Sequence, residues 1–250
     1  PTSAMHSHIV RVSGTRLLRA RRNPDFTMHL DATVEAIRKQ EPDIVFLCSP
    51  NNPTGNTNTE EEVEAVCEAS SGLVVLDEAY VEFAGGSMIR LIEDHEHLAV
   101  VRTFSKAWRM AGARLGYLVA QPWVGEQILK VRLPYHLSAL TQAAGLTALA
   151  HAREITSHVQ TIVHERERLW DELSTTRGIT AFPSRANFIL FRCEAKPASE
   201  VWNGLLAKGV LIRDFSDTPG CDGCLRVSVG TPEQNERFLE TLSTVLRLSA

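Results

Sequence analysis

Four short stretches carry side chains whose chemistry is far more specific together than apart. Asn51 and Asn52 lie in Ser49-Pro-Asn-Asn-Pro-Thr-Gly55, Asp77 opens Asp77-Glu-Ala-Tyr80, Lys106 closes Thr103-Phe-Ser-Lys106, and Arg114 follows a little further on. A lysine amine attacks carbonyl carbon, and a carboxylate holds a proton on a cationic ring nitrogen through a charge-assisted hydrogen bond. An amide and a phenol donate to a phenolate oxygen, and a guanidinium flanked by hydroxyls grips a phosphate. Taken singly, each stretch has an ordinary explanation. Asn-Pro-Thr-Gly is turn chemistry, an Asp at a strand end usually caps a helix, and a lysine usually sits in water.

The elements that must position these groups can be read from the apolar pattern. Residues 44–48 (IVFLC), 73–76 (LVVL), 98–102 (LAVVR) and 115–119 (LGYLV) are short runs apolar at successive positions, as in strands of a mostly parallel sheet covered on both faces. Helical patterns lie between them. Asp31 can cap a helix over 32–40, and Thr59 with Glu62 has capping-box spacing ahead of a helix ending near Gly72. Alternating strands and helices predict a doubly wound α/β layer, whose ligand site lies beyond the carboxyl ends of the strands. All four stretches fall there. One common cofactor uses the full set: pyridoxal 5'-phosphate needs an amine for its aldehyde, a carboxylate for its ring nitrogen, donors for its phenolic oxygen and an arginine with hydroxyls for its phosphate.

Further along, apolar residues recur at threes and fours from about 138 to 173, which predicts one long helix ended by Gly178 and Pro183. Strands over 187–192, 210–213 and 225–229, with helices near 198–208 and over Pro232–Leu246, predict a second, smaller unit. Thr231, Pro232 and Gln234 together form a helix start.

The segments SPNNPTG (49–55), LDEAYVEF (76–83), RTFSKAWRMAGARLGY (102–117), LPYHLSALTQAA (133–144), RANFILFR (185–192), GVLIRD (209–214) and CLRVSVGTPEQN (224–235) resemble those of the fold type I pyridoxal-phosphate aminotransferases, and within them the histidinol-phosphate aminotransferases. The resemblance covers the whole chain. It implies an α/β fold with a mostly parallel large-domain sheet and a smaller α+β carboxy-terminal domain, divided as a partial large cofactor-binding domain (1–137), a long connecting helix (138–175) and a small domain (176–250). By position, it makes Lys106 the Schiff-base lysine and the base that moves the substrate Cα proton. Asp77 becomes the partner of the ring nitrogen, Tyr80 and Asn52 the donors to the phenolate oxygen, and Arg114 with Ser105 and Thr103 the phosphate anchor. Asn52 is chosen over Asn51 because it precedes Pro53.

Arg226 matches the arginine that grips an anionic group of the substrate, and Arg213 resembles a second arginine suited to a dianionic phosphate. Asn187 helps position substrate or Arg226, or simply shapes a turn. Tyr135 and His136 are candidates for the pocket mouth, although ordinary surface roles are the simpler reading. The implied reaction converts histidinol phosphate and 2-oxoglutarate to imidazole acetol phosphate and glutamate, in histidine biosynthesis, by a homodimer. Aromatic amino-acid transamination, phosphothreonine decarboxylation on the same scaffold, and an inactive truncated homologue are the alternatives.

Two departures from the family stand out. Pro1-Thr2-Ser3 puts Ser3 where an aromatic residue usually stacks on the pyridine face, so stacking is lost unless His6 or a neighbour supplies it. The family's opening portion, with its Gly- and Ser-containing phosphate turn, also lacks a counterpart, which predicts an unpaired central part of the large sheet and either a fragment of a longer enzyme or a shortened homologue.

Composition narrows the rest. A chain of 250 residues that is 44% apolar can bury a core, so disorder and a small disulfide scaffold are excluded. A net charge of −4 without a basic patch argues against nucleic acid and against a cofactor-sensing domain of a transcription regulator. No apolar run approaches the ~20 residues that span a bilayer, and no secretory signal opens the sequence. Five cysteines, an odd number, fit free thiols in the cytoplasm. Cys221-Asp-Gly-Cys224 lacks a second pair or histidines at ligand spacing, so a turn with buried thiols is expected ahead of a metal or redox role.

Overall fold

The strands IVFLC, LVVLD and LAVVRT pair side by side because each is a short apolar run, and helices cover one face of the sheet they form. The computed structural model describes residues 1–247; positions 248–250, the end of the stretch assigned above to the small domain, lie outside the described residues. β1 (Ile44–Cys48), β2 (Leu73–Asp77) and β3 (Leu98–Thr103) run parallel, and β4 (Gly116–Val119) returns antiparallel to β3. The sheet order is β1-β2-β3-β4, so these four strands pair without interruption. The expected unpaired centre is therefore corrected: the open positions are the outer edges, where Ile44, Phe46 and Tyr117 are exposed.

Helices α2 (Leu30–Gln40) and α3 (Glu60–Ala69) cover one face, α3 closed by the reciprocal Thr59/Glu62 capping box. Leu47, Val63, Val66, Val74, Leu76, Leu98 and Val100 form the core between them, each large side chain contributing about 1.5–3 kcal/mol by burial. Before this sheet, a helix not anticipated from the sequence, α1 (Ala4–Val12), lies over the carboxyl ends of β1 and β2, where its His6 reaches Cys48 and Asp77. After it comes α4 (Pro122–Val131), begun by a proline in its first turn.

The single helix expected over 138–173 is two helices, α5 (Ala139–Ala150) and α6 (Ala152–Thr175). At His151 the amide donates to Ala148 O at 3.1 Å, a tightened i→i+3 turn that ends one helix, and the His151 carbonyl starts the next. A one-residue kink leaves the apolar spacing intact, which is why the sequence reads through it.

The second sheet is antiparallel throughout, in the order β5-β6-β8-β7: β5 (Ile179–Ala181), β6 (Phe188–Cys193), β8 (Cys224–Ser228) and β7 (Arg213–Asp214). Helices α6, α7 (Ala198–Ala207) and α8 (Pro232–Leu246) pack on one face through Leu169, Leu173, Val201, Leu205, Phe238 and Leu242. β7 is shorter than expected, since Val210 and Ile212 serve the turn: Val210 N–H donates to Leu205 O, and Ile212 O accepts from Trp202 Nε1.

Two devices join the sheets. Arg166 of α6 is buried and donates to the carbonyls of Phe83 (3.0 Å) and Ala186 (3.3 Å), one from each side. Gly55, at φ +79°, lies so close to Ser184 that any side chain would collide with it, and its carbonyl accepts from Arg185 N–H at 2.7 Å.

Candidate active site

Asp77 ends β2, and its carboxylate is held from two sides. Oδ1 accepts from Ala79 N–H at 3.0 Å, and Oδ2 faces His6 Nε2 at 3.3 Å. The Asp77 carboxylate and then the Cys48 thiol, 3.2 Å from the same nitrogen, hold a proton on His6 against the cost of burial and raise its pKa from 6.5 to about 10. His6 is thus a cation at neutral pH. Its ring lies on Phe46, centroids 4.7 Å apart, so its aromatic face is already engaged. Ser3, at the start of α1, makes no side-chain capping bond.

The next residue fixes the turn that carries Asp77 and Tyr80. Glu78 is 2% exposed and accepts from Arg102 Nε (3.0 Å) and Nη2 (2.8 Å), from Ser87 Oγ and from Met88 N–H. Both guanidinium nitrogens converge on one oxygen, Glu78 Oε2, and this buried ion pair orders the segment leading to the short 3-10 turn Val81–Phe83. Tyr80 is buried there, with its ring edge-on to Phe188 at 5.2 Å.

Lys106 lies in the loop between β3 and β4 and is exposed, with Nζ 5.3 Å from the centre of the Tyr80 ring. The loop is tied by Phe104 N–H to Leu115 O (3.0 Å), Met110 N–H to Phe104 O (2.9 Å), and Trp108 Nε1 to Glu82 Oε1 (3.2 Å). Burial pushes the Glu82 carboxyl above its ordinary range. Thr103 Oγ1 donates to Leu115 O and accepts from Ser105 N–H, so its hydroxyl serves the loop. Arg114 is exposed, adopts φ +53°, and donates to Ala111 O at 3.0 Å.

From the other sheet, Arg226 reaches back to this crevice. Its guanidinium lies between the rings of Phe188 (4.6 Å) and Phe215 (5.1 Å), and Nη1 donates to Asn52 Oδ1. Burial lowers its pKa, partly offset by Tyr80 and reinforced by the neighbouring Arg213. Its Nε is buried without a partner. Asn51, by contrast, is turned inward, bonding Pro1 O and Thr54 Oγ1.

The structure therefore brings Lys106, Tyr80, Arg226 and Asn52 into one continuous set of contacts, with Asp77 at the adjoining strand end. Arg213 pairs in register with Arg226 on β7 and lies 5.9 Å from the same Phe215 ring. Arg114 touches none of these groups through a hydrogen bond, and the Asn187 side chain makes none among the described residues; Asn187 contributes its carbonyl to Val229 N–H. Tyr135 is 99% exposed and lines nothing. Cys221 and Cys224 are fully buried free thiols in a turn closed by Cys224 N–H to Cys221 O at 2.8 Å.

Sequence reasoning passed over four contributors: Glu78, Phe188, Phe215, and His6 as a partner of Asp77. Only His6 had a readable signal, a histidine one helical turn after Ser3 in a short helix start.

Residues 1–242 match the family model described as aminotransferase class I and II. The chain is 46% identical over 247 residues to the histidinol-phosphate aminotransferase of Streptomyces avermitilis and 44% identical over 253 residues to that of Frankia casuarinae. These alignments take in 97% and 98% of this chain but 65% and 62% of those proteins, so the chain spans less than two thirds of their length. The crystal structure of histidinol-phosphate aminotransferase from Sinorhizobium meliloti in complex with pyridoxal-5'-phosphate matches with a TM-score of 0.88 at 28% identity, over 98% of this chain and 68% of that one.

Proposed function

This chain belongs to the class I and II aminotransferases, and on that premise we propose that it moves the amino group of histidinol phosphate to 2-oxoglutarate, giving imidazole acetol phosphate and glutamate. The observation that carries the reading is the run of contacts from Lys106 through Tyr80 and Phe188 to Arg226, which sets an amine from one sheet and a guanidinium from the other on one crevice.

The donor set fits pyridoxal 5'-phosphate. The Asp77 carboxylate already receives a heteroaromatic N–H, from His6, which is the interaction a pyridinium requires, and the Lys106 amine has no ion-pair partner among the described residues. When bound, the cofactor supplies an aldehyde that takes up an amino group and a protonated ring that draws off the electron pair left by α-proton removal.

The chain's own residues do the rest. Lys106 Nζ would anchor the cofactor and, once displaced by the substrate amine, would take the proton from the substrate Cα and deliver it to the cofactor's C4′, with the reverse transfer in the second half-reaction. Asp77 would hold the proton on the ring nitrogen, and His6 Nε2, 3.3 Å from Oδ2, would orient its carboxylate. Tyr80 and Asn52 donate to the phenolic oxygen. Arg114 and Ser105 would take the cofactor phosphate, which requires Arg114 to leave Ala111 O, while the Thr103 hydroxyl orders the loop that carries them. Arg226, bracketed by two rings, binds the anionic end of the substrate, and Arg213 beside it adds the second positive charge that a dianionic phosphate favours. Asn187, immediately before β6, holds Val229 N–H through its carbonyl and would shape that end of the pocket.

The same reading makes the enzyme a homodimer of the cytoplasm. The large apolar side chains left in water over residues 128–149, among them Leu133, Leu140 and Leu146, suit a covered subunit face, and five free thiols suit a reducing compartment. Sedimentation equilibrium tests the first point.

Half-reactions followed by the cofactor's absorbance test the substrate. Histidinol phosphate should convert the cofactor to its amine form far faster than phenylalanine does, and phosphothreonine should release no carbon dioxide. Failure with histidinol phosphate alongside conversion by phenylalanine would overturn the assignment.

A further inference from the structure

Three side chains from three different elements meet beneath α1: His6 from the helix, Cys48 from the end of β1 and Asp77 from the end of β2. Cys48 and Asp77 are register partners in the parallel β1–β2 pair, so their side chains leave the sheet on the same face. His6 Nε2 stands 3.2 Å from Cys48 Sγ and 3.3 Å from Asp77 Oδ2, and the three ligand atoms all lie within 4.8 Å of one another. One ring nitrogen therefore faces two electron-rich partners at once and has a single proton for both.

An imidazole nitrogen, a thiolate sulfur and a carboxylate oxygen are the three ligand types of zinc, with bonds of about 2.0–2.3 Å. A triangle with two sides of 3.2 and 3.3 Å and a third no longer than 4.8 Å contains a point close to those distances from every corner, without movement of the backbone. Zinc would replace the proton on His6 Nε2 and the Cys48 thiol proton, both released to solvent, and the thiolate and carboxylate then carry the charge that neutralises a divalent cation. The side chains of His6 and Asp77 are 15% and 23% exposed, so water can reach a fourth position.

We propose that His6, Cys48 and Asp77 form a site for a thiophilic divalent cation, zinc above all, in the cofactor-free chain. Asp77 cannot ligate a metal and neutralise a cofactor ring nitrogen together, so zinc and pyridoxal phosphate exclude one another. This last consequence rests on the function proposed above; the metal site does not.

The test uses the full chain, cofactor-free, with zinc chloride titrated against a chromophoric chelator and cobalt chloride as a spectroscopic probe. The expected result is stoichiometric zinc binding, weakened about tenfold or more in both Cys48→Ser and His6→Gln, and a sulfur-to-cobalt charge-transfer band that Cys48→Ser abolishes. Thermal melts of both variants establish that they fold, and a Cys221→Ala/Cys224→Ala chain, which should bind zinc as before, removes the other thiol pair from consideration. Absence of stoichiometric zinc, or zinc binding that survives Cys48→Ser in a folded chain, overturns the proposal. Preloading with pyridoxal phosphate should slow zinc uptake. A chain that binds zinc through Cys48 but takes up no cofactor supports the metal site while it sinks the aminotransferase reading, so the two fail separately.

Discussion

The two sheets have four strands each and put them to different use. In the carboxy-terminal sheet, alternate residues of β6 enter separate cores: Ile189 and Phe191 pack against α6, α7 and α8, while Leu190 packs with Phe26, Cys221 and Cys224 on the reverse face. Each face thus carries a core of buried side chains. The amino-terminal sheet is closed on the α2–α3 face, but its strand ends hold polar groups, and its outer strands leave Ile44, Phe46 and Tyr117 in contact with water. Parallel strands end at a common edge, where loops need not pair, so reactive side chains can converge there. The difference teaches that this chain draws its rigidity chiefly from one sheet and its chemistry from the other, with Arg226 and Arg166 as the links between them.

That division can be broken by substitution. Lys106→Ala should lower the amino-transfer half-reaction by about a thousandfold or more while leaving the melting temperature nearly unchanged, because the lysine is exposed. A large loss of stability in that variant would show that the chemistry and the fold are not separate. Phe191→Ala is the converse: removing a fully buried ring should cost about 3–5 kcal/mol in urea unfolding. The half-reaction rate of the protein that remains folded should not change.

Smaller effects sharpen the boundary. Arg226→Gln should raise KM for the phosphate substrate by about 10–100-fold with a lesser change in kcat, as expected for a lost charged hydrogen bond of about 1.5–3 kcal/mol. Phe215→Leu keeps the bulk but removes the ring face shared by Arg226 and Arg213, and should raise the same KM by about 2–30-fold, with Tyr restoring it. An equal fall in kcat for both variants would point to simple misfolding.

A separate effect is the pH dependence set by His6. Its folded pKa of about 10 lies above its ordinary 6.5, so the stabilisation it gives is complete below about 6.5 and is lost as pH rises through about 10. His6→Gln should flatten the urea midpoint across that window; an unchanged slope would mean that His6 does not carry the proton.

Local chemistry was legible in the sequence; contacts between distant residues were not. Both capping boxes, at Thr59/Glu62 and Thr231/Gln234, formed from their spacing alone. The strand that ends on Asp77 and the strand that leads into the Lys106 loop followed from short apolar runs. By contrast, β5 is only three residues long and exists because β6 offers it an edge, and α1 buries no residue fully, so neither left a strong pattern. The Arg226–Asn52 bond spans 174 positions and the His6–Cys48 contact 42, distances over which residue type says nothing about proximity. Thr103 shows the opposite limit: its type matched a phosphate ligand, yet its hydroxyl is engaged by its own loop.

The claim on which the rest depends is that Lys106 is the amine that holds pyridoxal phosphate. Incubation of the chain with saturating cofactor, reduction with borohydride and peptide mass mapping test it directly. The account predicts a stable pyridoxyl adduct on the peptide containing Lys106, absent in Lys106→Ala. No adduct, or one spread over Lys39, Lys130, Lys196 and Lys208 without preference for Lys106, would contradict it.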